Sequence, residues 1–124
     1  MTKNLFVFSG IAGLLFGLPF IFSPDMLIKA FTGESSVAAG AGAALRDYGI
    51  MLSTAGIALF IARDSVSSSA KKAMLLFVIM GAVLIAANSV YSIISGIGNS
   101  KVWGIVIVCI IQALWGIVAL GREK

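Results

Sequence analysis

The feature that most constrains this chain is the alternation of long apolar runs with short segments that hold nearly all of its charged residues. The first run, 5–22, contains eighteen residues. As an α-helix it would be roughly 27 Å long, close to the ~30 Å hydrocarbon core of a bilayer. Two further runs cover about 73–95 and 102–120. Each of these three runs is predicted to cross a membrane as a helix.

The second run, 45–62, differs because Arg46-Asp47 lies near its start and Arg63-Asp64 follows its end. Only fifteen uncharged residues separate the two pairs. They would form roughly 22 Å of helix, less than the hydrocarbon core requires. Two interpretations stay open. Either the helix begins earlier and Arg46 lies inside the membrane, or the span is short and Arg46 extends to the interface.

On a helical wheel, Arg46 shares one face of the second run with Gly49, Ser53, Gly56 and Phe60. Most of these residues are small, and small residues line contacts between membrane helices. We therefore expect Arg46 to point at other helices rather than at lipid.

The composition supports lipid as the solvent, because 60% of the 124 residues are hydrophobic and only 11% are charged, against about 25% charged in an ordinary soluble domain. The net charge of +4 comes from basic residues at the ends of apolar runs, which argues against a nucleic-acid partner. The chain has no histidine and one cysteine, Cys109. No metal site, cofactor or catalytic pair is predicted, and a non-enzymatic role is favoured.

A short amphipathic helix is predicted after the first span, over 24–32. Ser23 is a suitable N-cap, Pro24 suits the first helical position, and Gly33 is a suitable stop. Such a helix is expected to lie in the membrane interface, as an anchor or as a lid.

Glycines predict close contact between helices. Gly10, Gly13 and Gly17 share one face of the first span, and Gly49 and Gly56 share a face of the second. Without a Cβ, these positions let another helix backbone approach closely.

Four spans place both termini on one side of the membrane. The terminal side carries six basic residues, and the other side carries Lys29 and Lys101, or three residues with Arg46. This bias predicts cytoplasmic termini in a cell inner (plasma) membrane.

Polar residues of three spans are then expected to gather in the outer half of the bundle. They are Arg46, Asp47, Tyr48, Asn88, Tyr91, Ser92 and Gln112. One interpretation is an outward-facing ligand pocket, in which Arg46 binds an anionic head group or a small polar ligand. The alternative is that Arg46 reaches lipid phosphates and the other polar side chains join helices.

The layout resembles the uncharacterised bacterial DoxX-like small membrane proteins. The resemblance is carried by Arg46 and Gly49 opening the second span and by the segment GLLFGLPFIFSPDMLIKAF. It implies a four-helix membrane bundle, sometimes linked to quinone or sulfur metabolism, and it gives no catalytic residue.

The sequence thus predicts an all-α, polytopic membrane protein, with one four-helix transmembrane domain over 1–124. The leading function is binding of a lipid-like or small amphipathic ligand, or of a membrane partner. The alternative is a transporter or channel subunit that forms a homo-oligomer. Membrane lipid is the expected partner.

Overall fold

The computed structural model describes residues 1–33, 39–64 and 67–123, without the side chains of 39–43. In chain order the helices are α1 (Thr2–Phe22), α2 (Pro24–Thr32), α3 (Ala39–Ala62), α4 (Ser68–Ile94) and α5 (Val102–Arg122). All helices except α2 are long and apolar enough to cross a membrane. The described ranges contain no strand. The predicted all-α, four-span class is confirmed, and the protein is a multi-pass membrane protein.

The four long helices form two pairs. α1 packs along α3, and α4 packs along α5. Between the pairs, α1 contacts α5 over a short stretch, whereas α3 touches α4 at few points. The helices are therefore tightly packed within each pair and loosely packed between the pairs.

The α1–α3 contact is made by backbone against backbone. A Cβ built on Gly10 would lie 2.8 Å from the carbonyl oxygen of Gly56, and one on Gly49 would lie 2.6 Å from that of Gly17. A Cβ on Gly13 would lie 2.9 Å from the carbonyl oxygen of Leu52. These separations are shorter than van der Waals contact, so the five glycines predicted to pack lie where no side chain fits.

A hydrophobic core closes the bundle at the end that carries the termini, called here the terminal end. Leu5, Phe6 and Leu75 are fully buried there, and Leu59 and Ala119 pack against them. The core therefore takes one residue or more from each of the four long helices.

Polar contacts at the terminal end join neighbouring helix ends outside this core. Thr2 donates a hydrogen bond from Oγ1 to Oε1 of Glu123, at 2.8 Å. The Nζ of Lys3 lies 2.9 Å from Oδ1 of Asp64, which also pairs with Arg63. These contacts tie the start of α1 to the ends of α5 and α3.

The opposite end, called here the α2 end, carries the amphipathic helix. α2 ends at Gly33, whose φ of 76° suits glycine, and the Gly33 N–H donates to the Lys29 carbonyl. The Ser23 side chain makes no cap hydrogen bond. Asn99, in the α4–α5 loop, donates to the Ala30 carbonyl from Nδ2 at 2.9 Å and to the Phe31 carbonyl from its backbone N–H at 2.7 Å. These hydrogen bonds attach α2 to the loop of the α4–α5 pair.

Three helices begin earlier than the predicted spans, and α1 begins at Thr2 rather than at residue 5. α4 begins at Ser68 rather than near residue 73, because the Ser67 hydroxyl accepts a hydrogen bond from the Ala70 N–H and caps the first turn. The polar segment before the third span is thus partly helical. α3 begins at Ala39 within the described residues, so Arg46 lies inside a helix rather than at its start.

Candidate binding cavity

A cavity of about 460 Å³ separates the two helix pairs. Its lining runs from Ser9 to Phe20 on α1 and from Ile105 to Gln112 on α5, or roughly 16 Å and 10 Å at 1.5 Å per residue. These stretches belong to the half of the bundle nearer the α2 end. The volume lies within the range of about 300–1,000 Å³ that is common for small-molecule sites.

The floor of the cavity lies towards the terminal end. Leu59 and Val78 belong both to the lining and to the hydrophobic core. Near the same depth, Gln112 donates a hydrogen bond from Nε2 to Oγ of Ser9, at 3.0 Å. This bond joins α5 to α1 and therefore joins the two helix pairs where they come together.

The side of the cavity between α3 and α4 is open. The exposed lining residues are Tyr48 on α3 and Phe77 and Asn88 on α4. The Phe20 ring packs edge-on against that of Tyr48, with ring centroids 5.4 Å apart, and holds the tyrosine at the rim. Since α3 and α4 hardly touch, a molecule in the lipid layer could enter between them.

The lining is mainly apolar, with a few polar groups that carry no charge. The polar residues are Ser9, Tyr48, Asn88, Ser89, Cys109 and Gln112. No lysine, arginine, aspartate or glutamate is among the described lining residues. Within the described ranges, no three potential metal ligands come together. The arrangement can bind an apolar molecule and form a few hydrogen bonds with it.

Three of the seven predicted ligand-binding residues line this cavity: Tyr48, Asn88 and Gln112. Gln112 lies at the floor, and the other two lie nearer the α2 end. Within the described part of the chain, no hydrogen bond engages the side chains of Tyr48 and Asn88. Both are therefore free to bond a ligand.

Arg46 and Asp47 are exposed and are outside the lining. The face of α3 that carries Arg46 does turn towards α1, because Gly49 lies against Gly17 and Ile21. Arg46 lies one turn earlier on α3 and is nevertheless exposed. No described carboxylate lies within 4.0 Å of the Arg46 guanidinium.

Tyr91 and Ser92 are also outside the lining. Tyr91 is 67% exposed. The Ser92 carbonyl accepts hydrogen bonds from the N–H groups of Ile97 and Gly98, so this residue closes the turn after α4.

Three polar lining residues were missed by sequence reasoning: Ser9, Ser89 and Cys109. Ser9 was overlooked although it is a polar residue in the first span beside a glycine of the packing face. Its position in the sequence could have identified it. A hydroxyl buried among membrane helices requires a hydrogen-bond partner, and Gln112 provides one at a similar depth. Ser89 follows Asn88 and is 6% exposed.

These features define a small four-helix, multi-pass membrane protein with an internal cavity between two helix pairs. Comparison of the chain with protein-family models, with curated proteins and with solved structures finds no match. The resemblance to DoxX-like proteins therefore stays a prediction.

Proposed function

We propose that this protein binds a lipid-like or small amphipathic molecule in the cavity between its helix pairs. The observation that carries the proposal is the cavity itself, which has a mainly apolar lining and opens between α3 and α4. Two of its polar residues, Tyr48 and Asn88, have no hydrogen bond within the described chain. In a membrane such groups are costly unless they find partners, and a ligand would supply them.

Native mass spectrometry of the protein, extracted gently from its own membrane, tests this proposal. We expect a discrete bound mass that Gly81→Leu removes, because Gly81 lines the cavity and a Cβ there meets nothing within 4 Å. Gly104→Leu is the matched control, since Gly104 is equally unobstructed but lies outside the lining. A bare wild-type monomer, or a bound mass that survives Gly81→Leu, would contradict the proposal.

The alternative is an oligomeric transporter or channel subunit, and the glycine face of α1 would be a suitable surface for its association. In the structure, α3 covers this face, with Gly49 and Gly56 against it. An oligomer would have to use another surface. A stable oligomer without a bound mass in the same spectra would favour the alternative.

We further propose that the terminal end faces the cytoplasm. The terminal side carries six basic residues, namely Lys3, Arg63, Lys71, Lys72, Arg122 and Lys124. The α2 side carries Lys29, Lys101 and the exposed Arg46. The excess follows the positive-inside rule. With Cys109 replaced, Asn99→Cys is expected to react with an impermeant thiol reagent from outside the cell, and reaction only from the cytoplasm would reverse the orientation.

A further inference from the structure

We propose that the cavity selects an uncharged, single-chain amphiphile and that Asn88 binds its head group. This inference rests on the proposed function, and it adds the chemical class of the ligand and the direction in which the ligand lies. The head group is placed near the α2 end, and the chain extends towards the floor at Ser9 and Gln112.

The absence of charge from the described lining excludes an ionic head group. Moving an unpaired carboxylate or ammonium into a low-dielectric site is far more costly than moving a hydroxyl or an ester. Arg46 and Asp47 lie in sequence between two lining residues, Leu45 and Tyr48, but both are exposed and outside the lining. A charged head group would therefore lose its water without gaining a counter-ion.

The position of the free polar groups sets the direction of the ligand. At the floor, the amide nitrogen of Gln112 already donates to Ser9. Nearer the α2 end, the Asn88 amide offers donors and an acceptor, and no described residue bonds it. The polar end of a ligand gains most beside Asn88, with Tyr48 also in the lining at this end.

The length and lining of the cavity suit one aliphatic chain. Between the two polar levels the lining consists of apolar and small residues, such as Phe16, Leu52, Gly81 and Ile85. The depth of roughly 10–16 Å, estimated from the helix rise, holds a chain of medium length. A volume near 460 Å³ belongs to the lower half of the usual range of ligand sites, which disfavours two long chains.

Photocrosslinking in lipid nanodiscs tests the proposal with probes that share one diazirine-bearing dodecyl chain. The probes are dodecanol, dodecanesulfonate and dodecyltrimethylammonium, which are neutral, anionic and cationic at pH 7. We expect dodecanol to label lining peptides of α3 and α4 at a concentration at least about tenfold lower than either ion. Equal or stronger labelling by one of the ions would overturn the inference.

Three variants and one control locate the head group. Asn88→Leu is expected to reduce dodecanol labelling by about tenfold, whereas Gly104→Leu, outside the lining, serves as the control. Asn88→Lys adds a positive charge at the same place and is expected to raise dodecanesulfonate labelling. Loss of dodecanol labelling in Arg46→Ala, with Asn88→Leu unaffected, would place the head group at Arg46 and overturn the proposal. Circular dichroism and gel-filtration elution check that each variant is folded.

The experiment separates failure of this inference from failure of the proposed function. If Gly81→Leu leaves the labelling of lining peptides by every probe unchanged, the cavity is not a binding site and both proposals fail. If Gly81→Leu blocks all three probes but the wild type labels equally with all of them, the cavity binds amphiphiles and only the selectivity for neutral head groups fails.

Discussion

Two neighbouring faces of α1 meet the rest of the bundle in opposite ways. The face with Gly10 and Gly17 lies directly against the α3 backbone. The face with Ser9, Phe16 and Phe20 borders a cavity of about 460 Å³. On one face, α1 packs so closely against α3 that no methyl group fits between them. On the neighbouring face, α1 borders a cavity large enough for a ligand.

The difference between the two faces matters because helices in lipid have no hydrophobic driving force to associate. Close packing and interhelical hydrogen bonds hold membrane helices together. The α1–α3 face supplies such packing, whereas the cavity leaves its lining without partner atoms and lowers stability. The close α1–α3 packing is therefore explained by its contribution to stability. The cavity lowers stability, so its presence needs another explanation, and ligand binding is the candidate.

The largest effect is expected where the contact is closest. Gly49→Ala would place a Cβ 2.6 Å from the Gly17 carbonyl oxygen and 2.8 Å from Cβ of Phe20. Since the backbones must separate, we expect the free energy of unfolding to fall by about 1–3 kcal/mol. Equilibrium unfolding in mixed lipid–detergent micelles, followed by circular dichroism, measures this change.

Gly81→Ala is the matched control on the cavity side, because a Cβ at Gly81 meets nothing within 4 Å. Replacing glycine by alanine inside a helix is expected to leave the unfolding free energy unchanged or raise it by up to about 1 kcal/mol. Similar losses in Gly49→Ala and Gly81→Ala would remove the distinction between the two faces.

A smaller effect is expected from the bond that joins the two pairs at the cavity floor. Gln112→Leu and Ser9→Ala each remove the hydrogen bond between these side chains. A double-mutant cycle should give a coupling free energy of about 0.5–1.5 kcal/mol, as for other bonds between membrane helices.

Thr54 provides the control for this cycle, because its hydroxyl bonds the Ile50 carbonyl of its own helix at 2.9 Å. The effects of Thr54→Ala and Gln112→Leu should add without coupling. A Ser9–Gln112 coupling no larger than that of this control pair would mean that the bond does not hold the pairs together.

The glycine face of α1 was predictable from the sequence, and a polar pocket was one of two interpretations, but the width and the apolar lining of the cavity were not predicted. Glycine spacing reports a helix face directly, since residues three and four apart lie on one side of a helix. The spacing of Gly10, Gly13 and Gly17 therefore identifies their face from the sequence alone. The cavity depends on how far the two pairs stand apart, and no spacing within a single helix reports that distance.

Arg46 illustrates the same limit. Its helical face was predicted to point at other helices, and Gly49, on that face, does contact α1. Arg46 itself is exposed, and its exposure depends on how the helices pack together, which the period of one helix cannot reveal. Gln112 was singled out for its polarity at mid-span, but its bond required Ser9, a residue 103 positions away.

The smallest effect is expected at the terminal end, outside the membrane spans. The hydrogen bond from Lys3 to Asp64, aided by the charges of Lys3 and Arg63, holds the pKa of the Asp64 carboxyl below its ordinary value. A carboxyl with a lowered pKa adds stability above its ordinary pKa, and that stability is lost as the pH falls through the lowered value. Since the side chains of Lys3 and Asp64 are both exposed, water and salt screen the pair and its contribution to stability is slight.

Carbon-detected NMR titration of the Asp64 carboxyl measures this effect without relying on a stability change. Lys3→Met should raise the pKa of Asp64 towards its ordinary value of about 3.9, and 1 M salt should reduce the difference between variant and wild type. Lys29→Met, on α2 at the opposite end of the bundle, should leave the titration unchanged. If Lys3→Met left the pKa of Asp64 where it is in the wild type, the contact between the start of α1 and the end of α3 would not persist in the membrane. Closure of the terminal end would then depend on the core around Leu5, Phe6 and Leu75 and on the hydrogen bond from Thr2 to Glu123.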